Sequence, residues 1–145
     1  WKWQALWIAG RATGSGWKWY GRTTAALSTS DPVWYPSHPY SNNNKFCVAF
    51  YQGYQGIIQR ECSTIYTYYP MCEISQTKTC STGQVLSPVT NTCLRVVTSG
   101  MNWHQAKAHC EGRGEKLAVF DTKAAFDWFR SYSYSQGMLL LSARA

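Results

Sequence analysis

Charge is scarce in this chain: Asp, Glu, Lys and Arg make up only 14% of its 145 residues. It contains no Cys-x-x-Cys pair, no Asn-x-Ser/Thr sequon, no run of Lys or Arg, and no apolar stretch of transmembrane length. Each absence removes a class of protein. Without paired cysteines at ligand spacing a zinc site is not expected. Scattered single cations, despite a net charge of +7, argue against a nucleic-acid partner. The segment Met138 to Leu141 is too short to span a bilayer, so no transmembrane segment is expected. No Ser sits in a nucleophile-elbow sequence, and His38, His104 and His109 are not grouped into a catalytic set. Glu111 and Glu115, the nearest thing to paired carboxylates, read as a solvated helix end, so enzymatic activity is not expected.

What the chain does have is aromatic residues, 16% of the total with eight Trp and ten Tyr, enough to fill a core. Its six cysteines, an even number, point to disulfides and an oxidising, extracellular or secreted setting. Because residue 1 is Trp rather than Met, we expect a processed or excised chain. A cationic surface would attract anionic glycans.

Residues 1–72 read as β-rich. Ala5 to Ala9, Trp17-Lys18-Trp19, Phe46 to Tyr51, Ile57-Ile58 towards Cys62, and Tyr66 to Glu73 are expected strands. Between them, residues 28–45 form a long loop marked by Pro32, Pro36 and Pro39. The second half differs. A turn-rich hairpin from Cys80 to Cys93 leads to a strand at Leu94–Val97. Asn102 and Gln105 then fit a capping box for a helix that buries Trp103, Ala106 and Cys110. Gly112 and Gly114 should stop that helix, and Asp121 is expected to cap a second one carrying Ala125, Phe126 and Phe129. Leu6 to Ala12 also resembles Leu139 to Ala145, a weak repeat spaced by about one small domain.

These motifs resemble the C-type lectin-like domain, with its two halves in reversed order. Residues 80–129 are similar to that family's first half: the cysteine hairpin Cys80–Cys93, the Trp103-x-x-Ala106-x-x-x-Cys110 helix, the Leu117-Ala118 pair and a second helix. Residues 5–74 are similar to its second half, with LWIAG at the core strand, WKWYG, and the closing cysteines Cys47, Cys62 and Cys72. The resemblance implies an α+β fold stabilised by disulfides, with two helices, antiparallel sheets and a long irregular loop region. It implies the pairs Cys47–Cys62, Cys80–Cys93 and Cys72–Cys110. It divides the chain into a C-terminal half-domain at 1–74, a linker at 75–79 and an N-terminal half-domain at 80–145. CEISQTKTC is then the place where the end of one lectin-like fold meets the start of the next.

Three arrangements satisfy this reading: a circularly permuted domain, halves completed by neighbouring chains head to tail, or a piece of a tandem array. Two copies of the Leu6–Ala12 strand would compete for one position in a permuted monomer. The reading therefore favours completion between copies of the chain, and self-assembly, filament formation or adhesion as its role. The family's calcium-dependent sugar site is degenerate here. His38, Tyr40, Lys45, Ile58 and Gln59 stand where calcium ligands belong, and a lysine ammonium repels a cation. Neither a metal nor a cofactor is expected. A calcium-independent carbohydrate-binding module is the alternative, with Trp34, Tyr35, Tyr40, Asn42, Asn43 and Asn44 as possible glycan contacts. Tyr51 and Tyr54 could also stack on sugars, although packing explains these aromatics as well.

Overall fold

The computed structural model describes residues 5–53, 56–63, 68–75 and 79–142, with side chains described as far as residue 133. It is an α+β fold with an antiparallel-rich sheet, two helices and three disulfides. Strand β1 (Ala5–Ala12) lies inside the sheet and is buried along nearly its whole length. Consecutive residues of β1, which point to opposite faces of the sheet, are both buried, which is why it reads as a continuous run rather than an alternation. Strand β2 (Trp17–Trp19) does alternate, burying Trp17 and Trp19 around Lys18. Strands β3 (Phe46–Tyr51), β4 (Gly56–Glu61), β5 (Tyr69–Ser75), β6 (Val85–Ser87), β7 (Thr92–Val96) and β8 (Lys116–Leu117) complete the sheet. Its order is β4-β3-β1-β5-β7-β6, with β2 on β1 and β8 on β5. The β1–β5 pairing is parallel, and the other ladders are antiparallel.

Helix α1 (Trp103–Gly112) carries the expected cap: Gln105 N donates to Asn102 Oδ1 at 2.9 Å, and Asn102 N donates to Gln105 Oε1 at 3.0 Å. The helix buries Trp103, Ala106 and Cys110. Helix α2 (Lys123–Ser142) departs from expectation at both ends. Its start is capped by Thr122, whose Oγ1 accepts from Ala125 N at 3.1 Å. Asp121 instead accepts from Arg22 Nη2 at 3.0 Å. At the other end, residues 139–142 are helical, so this part of the supposed repeat of β1 is not a strand. Residues 143–145 lie outside the described set, as do Tyr66 and the linker positions 76–78, while Ser75 belongs to β5.

The two halves of the sequence pack on each other within one chain. Trp7 Nε1 donates to Met101 O at 2.7 Å, Trp103 Nε1 to Ile8 O at 2.8 Å, and Ala9 N to Ala118 O at 2.8 Å. Phe129 on α2 meets Phe50 on β3 and Phe120, each with centroids 5.1 Å apart. Gly21 shows how close the approach is: a Cβ there would lie 2.6 Å from the Leu117 carbonyl oxygen. All six cysteines are bridged, as Cys47–Cys62, Cys72–Cys110 and Cys80–Cys93. The Cys72–Cys110 bond, tying β5 to α1, closes within the chain.

Strand β5 is the joint. Glu73, 4% exposed, accepts from Val119 N at 3.1 Å, Thr92 Oγ1 at 2.7 Å and Arg22 Nε at 3.0 Å. Glu115 corrects the solvated-surface reading: it is buried, and its carboxylate accepts from Arg95 Nη2 at 2.7 Å. Trp103 is 1% exposed and joined by hydrogen bond to the opposite half. Replacing it with alanine should cost about 3–5 kcal/mol, a large share of a small domain's stability. Denaturant melts of Trp103→Ala beside the parent measure this, and unchanged stability would contradict the packing described.

Candidate functional site

The long loop lies against strand β4, at one end of the sheet order. Its first part is built into the fold. Trp34 is 7% exposed, donates from Nε1 to Ser28 O at 3.0 Å, and sits edge-on to Trp17 with centroids 5.0 Å apart. It is a core residue and offers no face for a sugar. Ile57 N donates to Val33 O at 3.1 Å, and Tyr35 N to Ile57 O at 3.0 Å, so residues 33–35 act as a short strand beside β4.

Beyond Tyr35 the loop is held mostly by side chains. The His38–Pro39 peptide is cis. His38 Nδ1 accepts from Gln59 N at 3.1 Å. Gln59 Oε1 accepts in turn from Tyr40 N at 2.7 Å and Ser41 N at 3.2 Å. Tyr40 is 66% exposed, with its ring edge-on to His38 (5.4 Å) and to Phe46 (6.1 Å). Asn42, Asn43 and Asn44 are exposed. Asn43 Oδ1 accepts from Lys45 N at 3.0 Å, the local turn that an Asn side chain favours. The carbonyls of Asn42 and Asn44 accept from Gly14 N and Arg11 Nη2.

The structure therefore brings Tyr35, His38, Tyr40 and Gln59 together and leaves the asparagines as an outer rim. Tyr51 is half-buried and packs on the core, while Tyr54 lies outside the described residues. Ile58 is fully buried. Lys45 approaches Glu61 at 3.8 Å. Among the described residues no group of three or more His, Cys, Asp or Glu is placed to hold a metal ion. No helix among them is long and apolar enough to cross a membrane.

No protein-family model, curated protein or solved structure matches this chain. The site must be read from its own chemistry.

Two histidines have displaced titrations. Burial, and then the charge of Arg60, lower the pKa of His38 below 6.5. His104 on α1 is lowered by burial and by Arg11 and Lys107. Sequence reasoning did not find Gln59 as the residue holding the loop, nor His38 as its acceptor. Neither role leaves a local pattern, because each depends on a partner about twenty positions away. The side chains of His38, Lys45 and Gln59 are engaged with other groups, Tyr40 packs its ring on His38 and Phe46, and Ile58 is apolar and buried. Adding calcium at about millimolar concentration, or a chelator, should leave the melting temperature unchanged, since anything bound to the folded state would raise it. Calorimetry with each addition checks this.

Proposed function

We propose that the chain is a non-enzymatic extracellular protein of the C-type lectin-like kind, with its half-domains in exchanged order, acting in self-assembly or adhesion. The observation that carries the reading is how fully the halves complete each other. Glu73 and Cys72 of the first half find their partners Val119, Thr92 and Cys110 in the second. In the structure one chain makes these contacts by closing on itself; the same contacts exchanged between neighbours would join chains head to tail. A repeated head-to-tail contact gives a ring or an open filament. The three disulfides support the extracellular setting.

Denaturing electrophoresis without reductant distinguishes the two. A ladder that collapses on reduction and disappears in Cys72→Ser is the result expected of covalent head-to-tail assembly. A single monomer band with the Cys72–Cys110 peptide present makes the chain a closed, permuted domain and overturns self-assembly through these cysteines. Free thiols at both positions would overturn both arrangements.

A second reading, calcium-independent glycan binding, is favoured by one observation: Tyr40 is exposed among polar loop groups and next to His38. An aromatic face beside amide groups suits a sugar ring and its hydroxyls. The net charge of +7 directs the choice of probe to sulfated and sialylated glycans. On an array of these, binding should persist in chelator and fall about tenfold or more in Tyr40→Ala, a typical effect for an aromatic contact. An array without signal, or one unaffected by Tyr40→Ala, removes this reading.

A further inference from the structure

The edge of β4 is sealed in two different ways. In an antiparallel edge strand, alternate residues direct their N–H and C=O groups away from the sheet. At Ile57 those outward groups are taken by backbone, from Val33 and Tyr35. Two residues further on, the outward groups of Gln59 meet side chains instead. Its N–H donates to His38 Nδ1, and its carbonyl accepts from Arg60 Nη1 at 3.0 Å. The buried Gln59 side chain then holds Tyr40 N and Ser41 N through Oε1. Because Oε1 accepts from two backbone donors, the orientation of the amide is determined. Its Nε2 is buried and has no acceptor among the described residues. The loop at 38–41 and the edge of the sheet are thus joined by three hydrogen bonds through one glutamine, and one of them requires a neutral imidazole.

We propose that His38 is a proton-operated clasp: neutral, it ties loop residues 38–41 to β4; protonated, it lets them go and uncovers the sheet edge at Gln59. The reason is stereochemical. An imidazolium carries hydrogen on both ring nitrogens, so Nδ1–H would confront the Gln59 N–H, donor against donor. The charged and titratable groups around the ring add no compensation. They are Arg60 on β4, a cation, and the rings of Tyr35 and Tyr40 on the loop. The carboxylate of Glu61, further along β4, is approached by Lys45 at 3.8 Å. Released residues 38–41 include Tyr40, so the loop's exposed aromatic surface would change shape with pH. The inference does not depend on the proposed adhesive role, because it concerns the loop itself.

The direction with pH follows from linkage. His38 titrates lower in the folded chain than its ordinary value of 6.5. The folded state therefore binds fewer protons than the unfolded one just below that value. The contribution is complete above 6.5 and is lost as pH falls through the folded pKa. His104 is shifted the same way, so overall melting in acid would not isolate the clasp. The test must observe the loop.

Amide exchange and imidazole nitrogen shifts, followed by NMR from about pH 7.5 to about pH 5, read both halves of the mechanism. The expected result is that protection factors at Tyr40, Ser41 and Gln59 fall about tenfold or more as His38 becomes imidazolium. Ala9 in β1 and Ala118, whose N donates to Met71 O, should keep theirs. His38→Asn places a non-titrating acceptor near the Nδ1 position, and its loop should keep its protection across the same range. Full loop protection with His38 already charged would overturn the proposal. So would the same acid loosening in His38→Asn. If that variant does not fold, the parent alone still decides. Finding hydrogen on Nδ1 at neutral pH, or loop exchange that does not follow the His38 titration, would overturn it as well.

Discussion

A carboxylate cannot stay ionised inside a protein without donors, and Glu73 obtains its donors from both ends of the chain. Val119 N and Thr92 Oγ1 come from one half of the sequence and Arg22 Nε from the other. Separating the halves would leave this buried group with one partner of three, and breaking a buried charge network costs several kcal/mol, about 3–5 when one partner is removed. The next residue along, Cys72, is bonded to Cys110. Strand β5 sits between β1 and β7 and carries both connections. The segment that reads as an ending in sequence is therefore the centre of the sheet. Each half supplies cover and hydrogen-bond partners to the other.

At β4 the balance differs. The scaffold there ends in a strand whose outer groups must be met or left to another chain. Residues 33–35 meet some of them with backbone, and His38 and Arg60 meet others with side chains. Backbone pairing persists over a wide range of pH, but a histidine acceptor does not. A rigid sheet with a loop held by a few polar side chains is a common way to make a surface adjustable without endangering the fold. The Tyr35, His38 and Tyr40 rings are grouped beside the Gln59 amide, with Tyr35 also packed against the hydrophobic core.

Local patterns in the sequence were read correctly where the cause is local. Phe46–Tyr51 is a strand over the expected residues, and the Asn102–Gln105 capping box starts α1 where expected. The first rests on a continuous apolar run between polar loop residues, the second on contacts three residues apart. The start of α2 went to Thr122 rather than Asp121, since Asp121 is occupied by Arg22, ninety-nine positions away. Residues 139–142 are helical although they resemble part of β1, because a short apolar run has no period to distinguish strand from helix. The position of β1 in the sheet is already filled by Ala5–Ala12. Glu115 looked solvent-facing because Arg95, which neutralises it, belongs to another strand. The loop site was legible as a group of aromatic and amide residues, but not as a clasp. That property needs the register between His38 and Gln59.

The hydrogen bond from Trp103 to Ile8 spans 95 positions, and the bond from Trp7 to Met101 spans 94. During synthesis, at about 5–20 residues per second, β1 therefore waits some seconds before its cover arrives. For that interval β1 can already pair with β2, β3 and β5, but Leu6, Trp7 and Ile8 lack their cover from the second half, and apolar surface exposed in this way is prone to aggregate. A topology dominated by such distant pairings also folds slowly once complete. Biosynthesis of this chain should thus depend on keeping β1 in solution until α1 and the segment after it have been made. Its yield in a given host would then reflect chaperone supply as much as the stability of the finished fold.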